Sequence, residues 1–215
     1  MSNLIDFYNY HLENGFFTVN KISALKDSCC VNVEVEVIDF DETKTQISKA
    51  CKKPLPKSCD GLKFIFDEDT LVFVEMKGIK NVYKFDIADK SREEHEGILD
   101  EKIKKFNLPK KVIDSLSCLS DLVSISGIGL NKVQIKFVFL TDIPLVDYNS
   151  GVLDVQSEEY IEYTFSYLAY EDVELDTMVQ AKMKYIVDNH IPINDSRVLD
   201  RPILMSCEQF VEFYG

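Results

Sequence analysis

Asp60 is followed fifteen residues later by Glu75-Met76-Lys77. If the three charged side chains converge, one chemistry suits them well. Carboxylate oxygens of Asp60 and Glu75 can bind Mg²⁺, with phosphate and water completing the shell. Such a cation lowers the pKa of a bound water and neutralises phosphate charge in the transition state. The Lys77 ammonium can hold the attacking water and add positive charge beside the phosphorus. Glu75 also keeps Lys77 charged when no metal is bound.

Convergence depends on the local fold. Leu62–Phe66 and Leu71–Met76 are β-rich runs separated by the turn-forming Asp67-Glu68-Asp69-Thr70, which predicts a hairpin. Pairing Phe66 with Leu71 sets Asp60 opposite Lys77 and Leu62 opposite Glu75. Opposed residues, and residues two apart on one strand, share a face. Asp60, Glu75 and Lys77 are therefore expected on one face, at the end of the hairpin away from the turn. A one-residue slip would send Asp60 to the other side. Leu71-Val72-Phe73-Val74 is apolar on both faces, the pattern of a central covered strand.

Cys59-Asp60-Gly61 and Val74-Glu75-Met76-Lys77-Gly78 resemble the PD-(D/E)xK nuclease superfamily, which has the restriction-endonuclease-like fold. The resemblance implies that Asp60 and Glu75 are metal ligands for Mg²⁺ or Mn²⁺ and that Lys77 is the catalytic lysine. It implies that the Met76 carbonyl is a further ligand. It also implies a core of a helix, a three-stranded meander, a helix and another strand. The following helix would be 89–106 or 111–123, and the following strand 133–140. Cys59 stands where the family carries proline. For the acidic residue that many members have on the first helix, Glu42 is the candidate by position, with Glu13 behind it. The ordinary alternative is that Glu75 and Lys77 form an ion pair at a strand end. Against it stand the hairpin parity, Gly78 directly after the lysine, and the cost of placing charge on a strand covered on both faces.

The chain has 215 residues, enough for one sizeable core, with 46% hydrophobic and 28% charged residues. No apolar run approaches the roughly 18 residues that span a bilayer, and the N-terminus lacks the basic and apolar regions of a signal peptide. A cytoplasmic location is expected. The six cysteines form no CxxC pair and only three histidines are present, which argues against a zinc ribbon or finger. The cysteines are expected to be reduced thiols, with Cys29-Cys30 as packing residues.

Net charge is −13, which by itself opposes nucleic-acid binding driven by charge. The acidity is local, however. Ten acids and no Lys or Arg lie between Phe137 and Ala181, leaving 27 acids against 24 bases elsewhere. Conversely, Lys44–Lys57 holds five lysines and no acid. Lys49, Lys52, Lys53 and Lys57 are the expected phosphate-backbone contacts, since they lead directly into Asp60. The acidic 142–176 stretch is the expected protein-partner face.

Elsewhere the patterns predict a helix over 4–13 with Leu4, Ile5, Tyr8 and Leu12 near one face. They predict a strand from Val31 to Phe40 and a helix over 43–52 capped by Asp41. A strand is expected over 161–169, a helix over 176–189, and a last short helix over 203–214. The fold class expected is α/β: a restriction-endonuclease-like mixed sheet flanked by helices, with a C-terminal α+β extension. Residues 1–145 would be the core and 146–215 the extension. The leading functional expectation is Mg²⁺-dependent cleavage of nucleic acid, DNA first and RNA second, in a setting such as defence against foreign DNA. The rival is a catalytically silent nuclease-fold subunit of a larger assembly. Expected partners are DNA, a protein on the acidic stretch and a second copy of the chain, with no membrane.

Overall fold

The apolar run around Phe73 becomes the centre of a six-stranded mixed sheet in a computed structural model. It describes residues 3–83, 86, 90–143, 145, 173–191, 195–198 and 200–215. The strands are β1 (Val19–Lys21), β2 (Glu36–Asp39), β3 (Gly61–Ile65), β4 (Thr70–Lys77), β5 (Gln134–Thr141) and β6 (Ile203–Ser206), in that spatial order. β1 to β4 are antiparallel; β5 runs parallel to β4, and β6 parallel to β5. The helices are α1 (Leu4–Glu13), α2 (Phe40–Cys51), the single turn α3 (Lys80–Val82), α4 (Arg92–Phe106), α5 (Leu108–Ser126), α6 (Val173–Asn189) and α7 (Cys207–Tyr214). This is an α/β chain with a mixed sheet flanked by helices. No helix among the described residues is long and apolar enough to cross a membrane.

β4 is buried along nearly its whole length because it has neighbours on both faces. Leu71 and Phe73 pack with residues of α1, α4, α5 and α6, where Phe73 stacks on Phe137 at 5.0 Å. Val72, Val74 and Met76 pack on the other side with Val33, Val35, Val37 and Phe210. Burying large apolar side chains on both faces contributes roughly 1.5–3 kcal/mol each, so this strand is the most firmly held position in the sheet.

The hairpin forms two residues away from its expected register. Ile65 pairs with Thr70 and Gly61 with Val74, around a four-residue connection, Phe66–Asp69, whose last residue is left-handed (φ 51°). An even shift preserves every face. Asp60 now lies opposite Glu75 instead of Lys77, and the three charged side chains still share one side.

Other expectations are corrected. α1 is present, but its buried stripe is Leu4, Phe7 and His11, whereas Ile5 and Leu12 are exposed. Residues 31–35 form no ladder: 31–32 are a turn with Asn32 left-handed (φ 67°), which leaves Val31 76% exposed, and although Val33 and Val35 are buried only 36–39 pairs as strand. α2 is capped by Asp39, whose carboxylate accepts the Glu42 amide, and not by Asp41. Residues 203–206 are a strand and not a helix: their amides and carbonyls continue the sheet beside β5, and Ser206 then caps α7. The strand expected at 161–169 and most of the acidic 142–176 stretch lie outside the described residues. The cysteines are not all thiols, because Cys30 and Cys207 form a disulfide across 177 residues of sequence. Cys29, Cys51, Cys59 and Cys118 are free.

Candidate active site

The site lies where β3 and β4 part. The last ladder pair is Gly61–Val74, and the Asp60 amide still donates to the Val74 carbonyl at 2.9 Å. Beyond it no strand among the described residues pairs with β4 on that side. The Met76 amide, which a longer β3 would have satisfied, donates instead to Asp60 Oδ2 at 2.8 Å. Asp60 is thus fixed by main chain, with Oδ1 left to face the site.

Alternation along β4 directs Glu75 and Lys77 to the Leu71–Phe73 face. Glu75 is fully buried, and among the described residues its oxygens are met only by ammonium groups. Lys77 pairs with Oε1 and also donates to the Met76 carbonyl at 2.8 Å. The Lys77 ammonium sits 5.6 Å from the centre of the Phe106 ring at the end of α4. Asp60, Glu75, Lys77 and the Met76 carbonyl are therefore brought together, as the spacing requires.

Lys111 was not among the expected site residues. Its ammonium lies 3.0 Å from Glu75 Oε2 and 3.3 Å from Asp60 Oδ1, bridging the two carboxylates. The cause is the seating of α5. Its buried stripe includes Val112, Ser115, Leu119 and Leu122, and the Ser115 hydroxyl accepts the Cys59 amide at 2.9 Å. Lys111 is one turn before Ser115 on the same face, so anchoring Ser115 beneath Cys59 carries Lys111 to Asp60. The sequence signal was an i, i+4 spacing of Lys111 and Ser115, which has no specificity without the partner strand.

The electrostatics follow from burial. Desolvation, then the charge of Asp60, raises Glu75 to about 7, with Lys77 and Lys111 pulling the other way. Burial works against the Lys111 ammonium, but the charges of Glu75 and Asp60 outweigh it and hold its pKa above the usual lysine value. Two carboxylates and two ammoniums thus form a closed, near-neutral quartet.

Neither first-helix candidate reaches this quartet. Glu42, exposed in the first turn of α2, and Glu13, exposed at the end of α1, make no contact with it among the described residues. Both side chains stay in water. The basic stretch is exposed at Lys49, Lys52, Lys53 and Lys57. The fold supplies the acids it lacks in sequence: Lys53 pairs with Asp121 at 2.6 Å, and Asp114 accepts the Lys57 amide at 2.7 Å.

Comparison with family models, with curated proteins and with solved structures gives no match to this chain.

Proposed function

We propose that the chain hydrolyses phosphodiester bonds in DNA with a divalent cation, Mg²⁺ or Mn²⁺, using Asp60, Glu75, Lys77 and Lys111, on a core of the restriction-endonuclease-like kind. The observation that carries the reading is the meeting of Asp60 Oδ1, both Glu75 oxygens and the Met76 carbonyl at one strand end. A buried carboxylate to which no backbone amide among the described residues donates is an arrangement that a hard cation suits, and these are all oxygen ligands. Asp60, Glu75 and the Met76 carbonyl would hold the ion. When bound, it supplies neutralisation of phosphate charge and a more acidic water.

The remaining work belongs to the chain. Asp60 is kept in place by the Met76 amide, so it does not have to reorganise. Lys77, paired with Glu75, would orient a water and carry its charge toward a phosphate oxygen. Lys111 is the resting counter-ion of both carboxylates; on displacement it becomes a second cation for the phosphate. The burial of Glu75 strengthens each of these interactions by excluding water.

The same closed quartet favours the second reading, a silent nuclease-fold subunit, because Lys111 already satisfies both carboxylates. Lys111→Met separates the two. Removing an ammonium about 3 Å from two carboxylates should raise Mn²⁺ affinity at least about tenfold, and cleavage should fall. A spin-resonance titration of free Mn²⁺ measures the affinity. No binding by either wild type or Lys111→Met would support the silent subunit.

If DNA approaches from the basic side, replacing Lys49, Lys52 and Lys53 by alanine should flatten the salt dependence of binding. Each lost phosphate contact changes the log–log slope by about 0.9. A change of about 1.8 is expected from Lys49 and Lys52, with less from Lys53, which Asp121 already holds. Affinity against salt for wild type and triple variant measures it; equal slopes would remove this stretch from the interface.

A further inference from the structure

On the opposite face of β4 from Glu75, three sulfur-bearing residues distant in sequence come to one point. The Sγ atoms of Cys29, Cys30 and Cys207 lie within 4.8 Å of one another. Cys30 and Cys207 are joined, and the Cys29 sulfur stands 4.0 Å from each of them. A disulfide that merely fastens α7 to the sheet needs two cysteines, and the third requires its own explanation.

We infer that in the reduced chain Cys29, Cys30 and Cys207 form a three-thiolate site for a thiophilic divalent cation of the zinc class. Sulfurs bound to one such ion at about 2.3 Å in tetrahedral directions lie about 3.8 Å apart. The two distances from Cys29 already match this. Only the Cys30–Cys207 pair must open; Cys30 lies outside regular elements, just before the turn at 31–32, and Cys207 opens α7. Three thiolates select sulfur-binding ions over Mg²⁺, and Met76, Val74, Leu140 and Met205 pack in the same cluster. Cys29 keeps partial exposure, which gives an ion a way in.

The competing use of a third thiol is exchange with the disulfide. That needs a thiolate, whereas burial, with the charge of Asp142, pushes the Cys29 thiol up to about 12. A coordinating cation takes the proton's place, so the raised thiol pKa lowers the apparent affinity, and binding should tighten as pH rises.

The chemistry balances in two stages. A dithiol reductant delivers two electrons and two protons to the Cys30–Cys207 bond and leaves as its own disulfide. The cation then displaces three thiol protons to solvent and forms three metal–sulfur bonds. The disulfide and the bound metal are mutually exclusive.

The test uses the full chain, reduced without oxygen, freed of reductant and titrated with Co²⁺, then Zn²⁺. Thiolate-to-cobalt charge-transfer absorption should saturate at one equivalent and vanish when Zn²⁺ displaces the cobalt. Cys29→Ser, which leaves Cys30 and Cys207 in place, should lose at least about tenfold in affinity, as should Cys207→Ser. The oxidised chain should show no band. Glu75→Gln should leave the band unchanged, which separates this site from the carboxylate one. Absence of a band in the reduced wild type, an unchanged affinity in Cys29→Ser, or an equal band in the oxidised chain would each overturn the assignment.

Discussion

Replacing Glu75 by glutamine is expected to lower Mg²⁺-dependent DNA cleavage by about 10³-fold or more, while the melting temperature at pH 8 stays level or rises. The first part follows from the role proposed for this carboxylate. A neutral amide of the same shape removes the charge that holds the cation and keeps Lys77 oriented, and a loss of that size corresponds to about 4 kcal/mol of transition-state stabilisation. The second part follows from burial. Glu75 is fully enclosed, faces a second carboxylate, and accepts no backbone amide among the described residues, so its ionised form is costly to the fold. Glutamine relieves that cost, and Asp60 remains beside Lys111. Plasmid nicking and a melting curve on the same preparations give both readings. Undiminished cleavage would remove Glu75 from the site. An inactive wild type together with a large fall in melting temperature for Glu75→Gln would establish the quartet as a structural ion-pair cluster.

The second large effect concerns stability in acid. His11 is fully buried among the rings of Phe7, Tyr10, Phe16 and Phe17. A carbonyl can only accept, so the 3.1 Å contact of Nε2 with the Leu122 carbonyl puts the proton on Nε2. Nδ1 then has no partner among the described residues, and protonating it would bury a charge with no acceptor. Burial accordingly lowers His11 from 6.5 to about 4, with the Leu122 carbonyl opposing. The unfolded chain takes up this proton below pH 6.5 and the folded chain does not. Stability therefore falls by about 1.4 kcal/mol per pH unit between 6.5 and 4, about 3 kcal/mol in all. Above pH 6.5 the contribution is complete. His11→Gln should flatten this part of the acid limb of stability against pH, carboxylates being common to both proteins. A His11 ring resonance titrating near 6.5 in the native protein would refute the argument.

Much of the candidate site was legible from residue types and spacing. The Asp60…Glu75-Met76-Lys77 arrangement predicted convergence because side-chain direction in a strand has period two, and that argument survives any even change of register. It survived here, when Asp60 moved from opposite Lys77 to opposite Glu75. The apolar run 71–74 likewise announced a strand covered on both sides, since a chain has no other favourable place for it.

Other features depended on residues brought together from far along the chain. Val33 and Val35 alternate like a strand, yet their carbonyls meet only the isolated amides of Ser23 and Ile22, and the ladder begins at residue 36. Residues 203–206 read as helix because strand identity came from β5, not from their own sequence. Cys30 and Cys207, 177 residues apart, meet only after β6 has joined the sheet. Lys111 entered the site because Ser115 anchors α5 beneath Cys59. Local periodicity determines which face a residue occupies, because that is a property of one strand or helix. Which charge stands opposite it is decided by packing, and packing is the sum of contacts that no single segment contains.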